Sequence, residues 1–119
     1  SKEVFDIKTA MTPIVDLVRV YALQNRIFQK ENTGERLKAL KDLGVFNENQ
    51  FNELMQSYYY LMGLRLKNQA QQIINDHIQP NNLIEINSLT KIDKVTLIEI
   101  FKTIQNFQTG IKMKFTNSF

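Results

Sequence analysis

Cysteine is absent from the 119 residues. Disulfides, thiolate chemistry and cysteine-ligated metals are thereby excluded, and a reducing, cytoplasmic setting is the expectation. Histidine occurs once, at His77. One imidazole cannot build a metal site by itself, and no carboxylate cluster accompanies it at ligand spacing. No Ser or Thr has both a base and a group to orient that base. A Gly-rich phosphate loop is missing, and no two acidic residues are separated by a single residue, so an Asp-x-Asp metal pair is missing too. No catalytic residue is expected in this chain. Long hydrophobic runs are also lacking: nothing approaches the ~18 apolar residues of a membrane helix. No secretory leader opens the chain. It does not begin with Met, so a fragment of a longer multidomain protein is expected. Alternating strand pattern is scarce. Leu83-Ile84-Glu85-Ile86 is the one candidate, and a lone short strand has nothing to pair with.

What is present is a globular composition, with 43% hydrophobic residues. A chain above ~100 residues can bury one core without staples, so residues 1–119 are read as one domain. The net charge is +3, and residues 1–99 sum to zero. The excess is Lys102, Lys112 and Lys114, near the end of the last segment. Lysines there complement a helix macrodipole. Nucleic acid would require several phosphate contacts on one face, and is disfavoured.

Hydrophobic spacing predicts four helices. The first covers about 12–28, with Thr12 as N-cap and Pro13 as first helical residue. Met11, Ile14, Val15, Val18 and Ala22 mark its buried stripe. Leu17, Val20, Tyr21 and Leu23 widen it, so contact on more than one side is expected. The second is short, about 33–43. Asn32 and Glu35 make a capping-box pattern, and Gly44 is placed as a C′ glycine. The third runs over about 48–78, with Asn47 and Gln50 as a second capping box. Its face reads Phe51, Leu54, Met55, Tyr58, Leu61, Met62, Leu66 and Ile73. The fourth covers about 91–115, capped by Thr90 and Asp93. Its stripe is Leu97, Phe101, Ile104, Ile111 and Phe115. The fold class is therefore all-α: an antiparallel bundle of three long helices and one short one.

The informative residues are polar ones that interrupt buried stripes. Arg65 falls between Leu54 and Tyr58 on the wheel of the third helix, and Gln69 shares the angle of Phe51. Arg36 adjoins Leu37 and Leu40. Arg19 flanks the first stripe. A buried guanidinium is costly unless paired, so partners are expected among Asp6, Asp16, Asp76 and helix-end carbonyls. Either these side chains form an internal network that fixes helix docking, or they face an anionic ligand or partner domain.

Several of these residues lie in recognisable segments. Asp6-Ile7-Lys8 followed by Pro13-Ile14-Val15-Asp16-Leu17-Val18-Arg19 is the first. Asn32-Thr33-Gly34-Glu35-Arg36-Leu37 with Leu40 and Gly44 is the second. Leu61-Met62-Gly63-Leu64-Arg65-Leu66-Lys67-Asn68-Gln69 is the third, and Ser88-Leu89 and Gln108 add weaker positions. Together they resemble the nucleotidyltransferase substrate-binding domain family. That family is similar to the helical domains of PII uridylyltransferase-like and kanamycin nucleotidyltransferase-like enzymes. Thr9-Ala10 stands where the family often has a Gly-containing turn.

The resemblance implies a non-catalytic accessory domain beside a nucleotidyltransferase domain of the same chain. That domain would perform uridylyl or adenylyl transfer and hold Mg and nucleoside triphosphate; no cofactor is expected here. The acceptor would be a regulatory protein or a small molecule. Such parents also carry cyclic-nucleotide-binding and CBS domains, in bacterial signal transduction. The alternative is an interaction or dimerisation module that relays the state of those domains, with a homodimer as one form. Arg19, Arg36, Arg65, Gln69, Asp6, Lys8 and Thr33 are the candidate substrate-binding or docking residues under either reading.

Overall fold

A computed structural model describes the backbone of residues 3–117 and the side chains of residues 3–113. The Lys114 and Phe115 side chains lie outside the described residues. Helix α1 spans Ile7–Gln24 and begins at Asp6, not at Thr12. The Asp6 carboxylate accepts from the Lys8 N–H at 2.9 Å, the usual N-cap role. Pro13 therefore sits inside the helix. It forfeits one intrahelical bond, to the carbonyl four residues earlier. The helix ends where Arg26 takes a positive φ of 58°. The Ile27 N–H then closes back on the Ala22 carbonyl at 2.8 Å.

Helix α2 spans Thr33–Asp42, capped by the Asn32 side chain on the Glu35 N–H at 2.9 Å. The expected box is displaced by one residue, because the Glu35 carboxylate accepts from Glu31 N–H rather than from Asn32. Gly44 has φ 76°, as a C′ glycine requires, and Val45 N–H bonds the Leu40 carbonyl. Helix α3 spans Glu48–Ile74, and the Asn47–Gln50 box is complete. It stops short of Ile78 because His77 turns left-handed (φ 52°) and the Ile78 N–H reaches back to the Gln72 carbonyl. Helix α4 spans Lys91–Asn117. Thr90 and Asp93 cap each other reciprocally, at 3.0 and 3.2 Å.

The lone strand has a partner after all. Strand β1 (Val4–Asp6) pairs antiparallel with β2 (Leu83–Glu85), in the register Val4↔Glu85, Phe5↔Ile84, Asp6↔Leu83. A single 3-10 turn, Ile86–Ser88, follows. Helices still make up 73% of the chain, so the all-α class holds and the two strands act as a clasp on the bundle.

The core sits where α1 meets α2, α3 and α4. Ile7, Ile14, Val18, Leu37, Leu40, Leu54, Leu61 and Ile84 are its fully buried side chains. Phe46 seals one side, edge-on to Tyr21 at 4.9 Å and to Phe107 at 5.9 Å. The far half of α3 leaves this core. Leu66 and Ile73, expected inside, are 58% and 54% exposed. Beyond Leu61, Met62 and Leu64 pack half-covered against the core, and the apolar stripe beyond them is exposed.

Candidate functional site

The clasp loop is held by amides and one guanidinium projecting from α3. Asn82 is the hub. Its Oδ1 accepts from Arg65 Nε at 2.9 Å and from Gln69 Nε2 at 3.4 Å. Its backbone carbonyl accepts from the Ile7 N–H, the first amide of α1, at 2.9 Å. Asn81 is locked by a reciprocal pair with Gln72: Nε2 donates to Oδ1, and the Asn81 N–H donates to Oε1, both at 2.8 Å. The same Oδ1 accepts from the Leu83 N–H at 2.9 Å, an Asx turn that launches β2. Asn68 donates to the Leu83 carbonyl at 2.9 Å. Gln72 is buried although polar, and both of its side-chain hydrogen bonds go to Asn81.

The expected guanidinium partners are thus corrected for Arg65. Its partner is the neutral amide of Asn82, not a carboxylate. Asp6 is engaged as the α1 cap, and Asp16 and Asp76 are exposed. The structure brings Asp6, Arg65 and Gln69 to one place through the β1–β2 register and Asn82. It does not bring Arg19, Arg36 and Thr33 there. Thr33 is buried at the start of α2. Arg36 is half-buried, Arg19 and Lys8 are exposed, and neither arginine makes a side-chain hydrogen bond or ion pair with the described residues.

Two concavities flank the clasp, and neither is lined by Arg19, Arg36 or Arg65. The first is a polar cleft of about 750 Å³ between the second half of α3 and β2. Lys67, Asn68, Gln71, Asp76, Glu85 and Asp93 are among its lining. Asp93, one of its lining residues, accepts a short bond, 2.6 Å, from the Tyr60 hydroxyl. Burial and this bond push the Tyr60 hydroxyl up to about 12. The Tyr60 bond, the Thr90 amide and hydroxyl and nearby Lys67 hold Asp93 below the usual carboxylate value, against some desolvation. The second concavity is an apolar groove of about 540 Å³ between α1 and α4, with Phe5, Pro13, Leu97, Ile98 and Phe101 in its walls.

A family model described as "Putative nucleotidyltransferase substrate binding domain" matches residues 1–115. The chain belongs to this family. No curated protein and no solved structure matches it. Among the described residues of this family member, no group of three or more His, Asp or Glu could hold a metal ion, and no helix is long and apolar enough to cross a membrane.

Sequence reasoning missed Asn81, Asn82, Asn68 and Gln72. Asn81-Asn82 was legible only as turn residues after Pro80. The side chains that hold them are Arg65, Gln69 and Gln72 of α3. A signal for Gln72 was available on the helical wheel, since it stands eighteen residues, five turns, after Leu54 and shares its angle.

Proposed function

We propose that this domain is the non-catalytic acceptor-side partner of a nucleotidyltransferase domain in the same chain. The observation that carries the reading is the family match over residues 1–115. The catalytic neighbour would bind Mg and the nucleoside triphosphate and perform uridylyl or adenylyl transfer. This domain would hold the acceptor, a regulatory protein or a small molecule, at the polar cleft of α3 and β2. That cleft supports the reading by its chemistry. It mixes a cation (Lys67), amides (Asn68, Gln71) and carboxylates (Asp76, Glu85), so it suits a ligand rich in hydrogen-bonding groups. Arg65 and Gln69 then act through Asn82: they hold the loop that forms one wall and do not touch the acceptor.

The test is nucleotide transfer by the full-length parent. Lys67→Ala and Gln71→Ala alter exposed side chains and should keep the fold. They are expected to raise the KM for acceptor while the KM for nucleotide stays fixed. Arg65→Ala should lower stability first and acceptor affinity with it. If folded Lys67→Ala and Gln71→Ala proteins transfer and bind acceptor as the parent does, the cleft is not the acceptor site. A second reading, an interaction module that relays the state of cyclic-nucleotide-binding and CBS domains, is favoured by one feature: Ile92, Val95, Ile98 and Phe101 recur at every third residue of α4 and are exposed.

A further inference from the structure

Opposite its buried face, helix α3 carries a second apolar line that stays exposed. Tyr59, Gly63, Leu66, Ala70 and Ile73 recur at alternating spacings of four and three residues, and all five are exposed. That alternation is the seam by which two helices interlock. Ile74, 69% exposed, borders it. At Gly63, open space stands where a Cβ would lie.

Charge around this seam is sparse. At 100° per residue, no charged residue from Asn49 to Ile74 falls within about 60° of Tyr59 on either side. Glu48, just ahead of that stretch, is engaged by Lys41 at 3.3 Å. Lys67 and Glu53 lie about 80° and 120° round from Tyr59, on the same flank. They are opposite in sign and fourteen residues apart. On the other flank the first charge is Arg65, and its guanidinium is turned inward to Asn82.

We infer that α3 pairs antiparallel with α3 of a second copy along this seam. The face is neutral, so a copy brings no like charge against it, and a charged partner would find nothing there to answer it. The flank charges set the direction. Helices related by a two-fold axis bring the same flank together only when they run antiparallel; parallel pairing would set the Lys67 flank against the opposite one. With the axis near Leu61, Glu53 stands beside the partner's Lys67, and Lys67 beside the partner's Glu53. The same register lays Tyr59 over the partner's Gly63 and Leu66 over the partner's Gln56. Lys67 also lines the polar cleft, so pairing delivers the partner's Glu53 to the rim of that cleft. The pairing itself does not rest on the acceptor reading.

Sedimentation equilibrium of the chain should show a reversible dimer. Leu66→Glu, checked for unchanged helix content, should raise its dissociation constant roughly tenfold or more. Glu53→Lys should weaken the dimer at low salt. Adding Lys67→Glu to Glu53→Lys should restore it, because the swap keeps each pair opposite in sign. The chain has no cysteine, so Asn49→Cys takes a single spin label. Labels on the two copies should lie roughly 35 Å apart along the helices in the antiparallel pair, and side by side in a parallel one. A chain that stays monomeric overturns the inference, as does a dimer that Leu66→Glu leaves intact. A dimer that Ile98→Ser abolishes and Leu66→Glu does not would assign the contact to α4 instead. A double swap no tighter than Glu53→Lys, or labels side by side, overturns the antiparallel register.

Discussion

The Asn82 side chain holds more of the structure than its place in a loop suggests. One carbonyl oxygen accepts from both Arg65 and Gln69, and the backbone carbonyl accepts from the first amide of α1. Asn82→Ala removes the side-chain acceptor and leaves a half-buried guanidinium without a partner. Leaving a buried donor unsatisfied costs ~1–3 kcal/mol, and removing the donor costs less. Asn82→Ala should therefore lower the urea midpoint more than Arg65→Ala, and the double variant should show non-additivity. Equal effects that simply add would mean the pair is not coupled. A wheel drawn from sequence finds Arg65 and Gln69, because helix geometry fixes which face they occupy. It cannot find Asn82, whose role depends on where a loop lands. The Tyr60–Asp93 pair contributes to the pH response at both ends. Asp93 is held below its unfolded value, so its contribution is full above about pH 4 and is lost as pH falls through the lower folded value. Tyr60 is raised to about 12, so its contribution is full below about pH 10 and is lost as pH rises towards 12. Asp93→Asn should flatten the acid limb of the stability profile and bring the Tyr60 titration, followed by ultraviolet absorbance, back towards that of an ordinary tyrosine.

Among the elements, the four helices were readable because their signals are local. Three of the four helix starts, at Asn32, Asn47 and Thr90, follow from side chains within three residues of the bonds they make. The fourth has a local cap too, Asp6 on the Lys8 N–H, but Thr12-Pro13 carries a competing mark of a helix start six residues on, and the pairing of Val4–Asp6 with a strand nearly eighty residues away left no local trace. Strand β2 was visible as a pattern, but its partner at Val4–Asp6 is too short to leave a period of its own. The same distinction governs glycine. Gly63 lies inside α3 with open space where a Cβ would stand and no positive φ. Gly63→Ala should stabilise the chain by about 1 kcal/mol through helix propensity alone. Gly34 in α2 differs, since a Cβ there would meet the Tyr59 hydroxyl at 2.9 Å. That hydroxyl ends a half-exposed side chain which can swing aside. Gly34→Ala should therefore gain less than Gly63→Ala, and Tyr59→Phe in the same background should recover part of the difference in thermal midpoint.

The whole molecule is elongated, 49 × 27 × 24 Å, because α3 and α4 run 27 residues each while the shared core occupies only part of either. Core packing on α3 stops near Leu61, and on α4 the last well-buried residue is Ile104, with Phe107 and Ile111 only half-covered. Ile84 is the exception that ties the periphery in: it is 1% exposed and reaches the core from the clasp. Stability should follow this gradient, since local opening needs least free energy where few apolar contacts must break. Native-state amide exchange is expected to be slowest in the middle of α1 and in α2, and faster in α4 beyond Phe107. The clasp and the second half of α3 should open together, because among the described residues the side chains of Asn68, Gln69 and Gln72 hydrogen-bond to the loop and to Leu83 of β2. Asn82→Ala should then speed exchange in β1, β2 and α3 beyond Leu64 while leaving α2 unchanged. Ile84→Ala, which empties a fully buried position at a cost of ~2–5 kcal/mol, should speed exchange in α2 as well. If both substitutions accelerate every helix alike, the clasp is no separate unit and the bundle opens only as a whole.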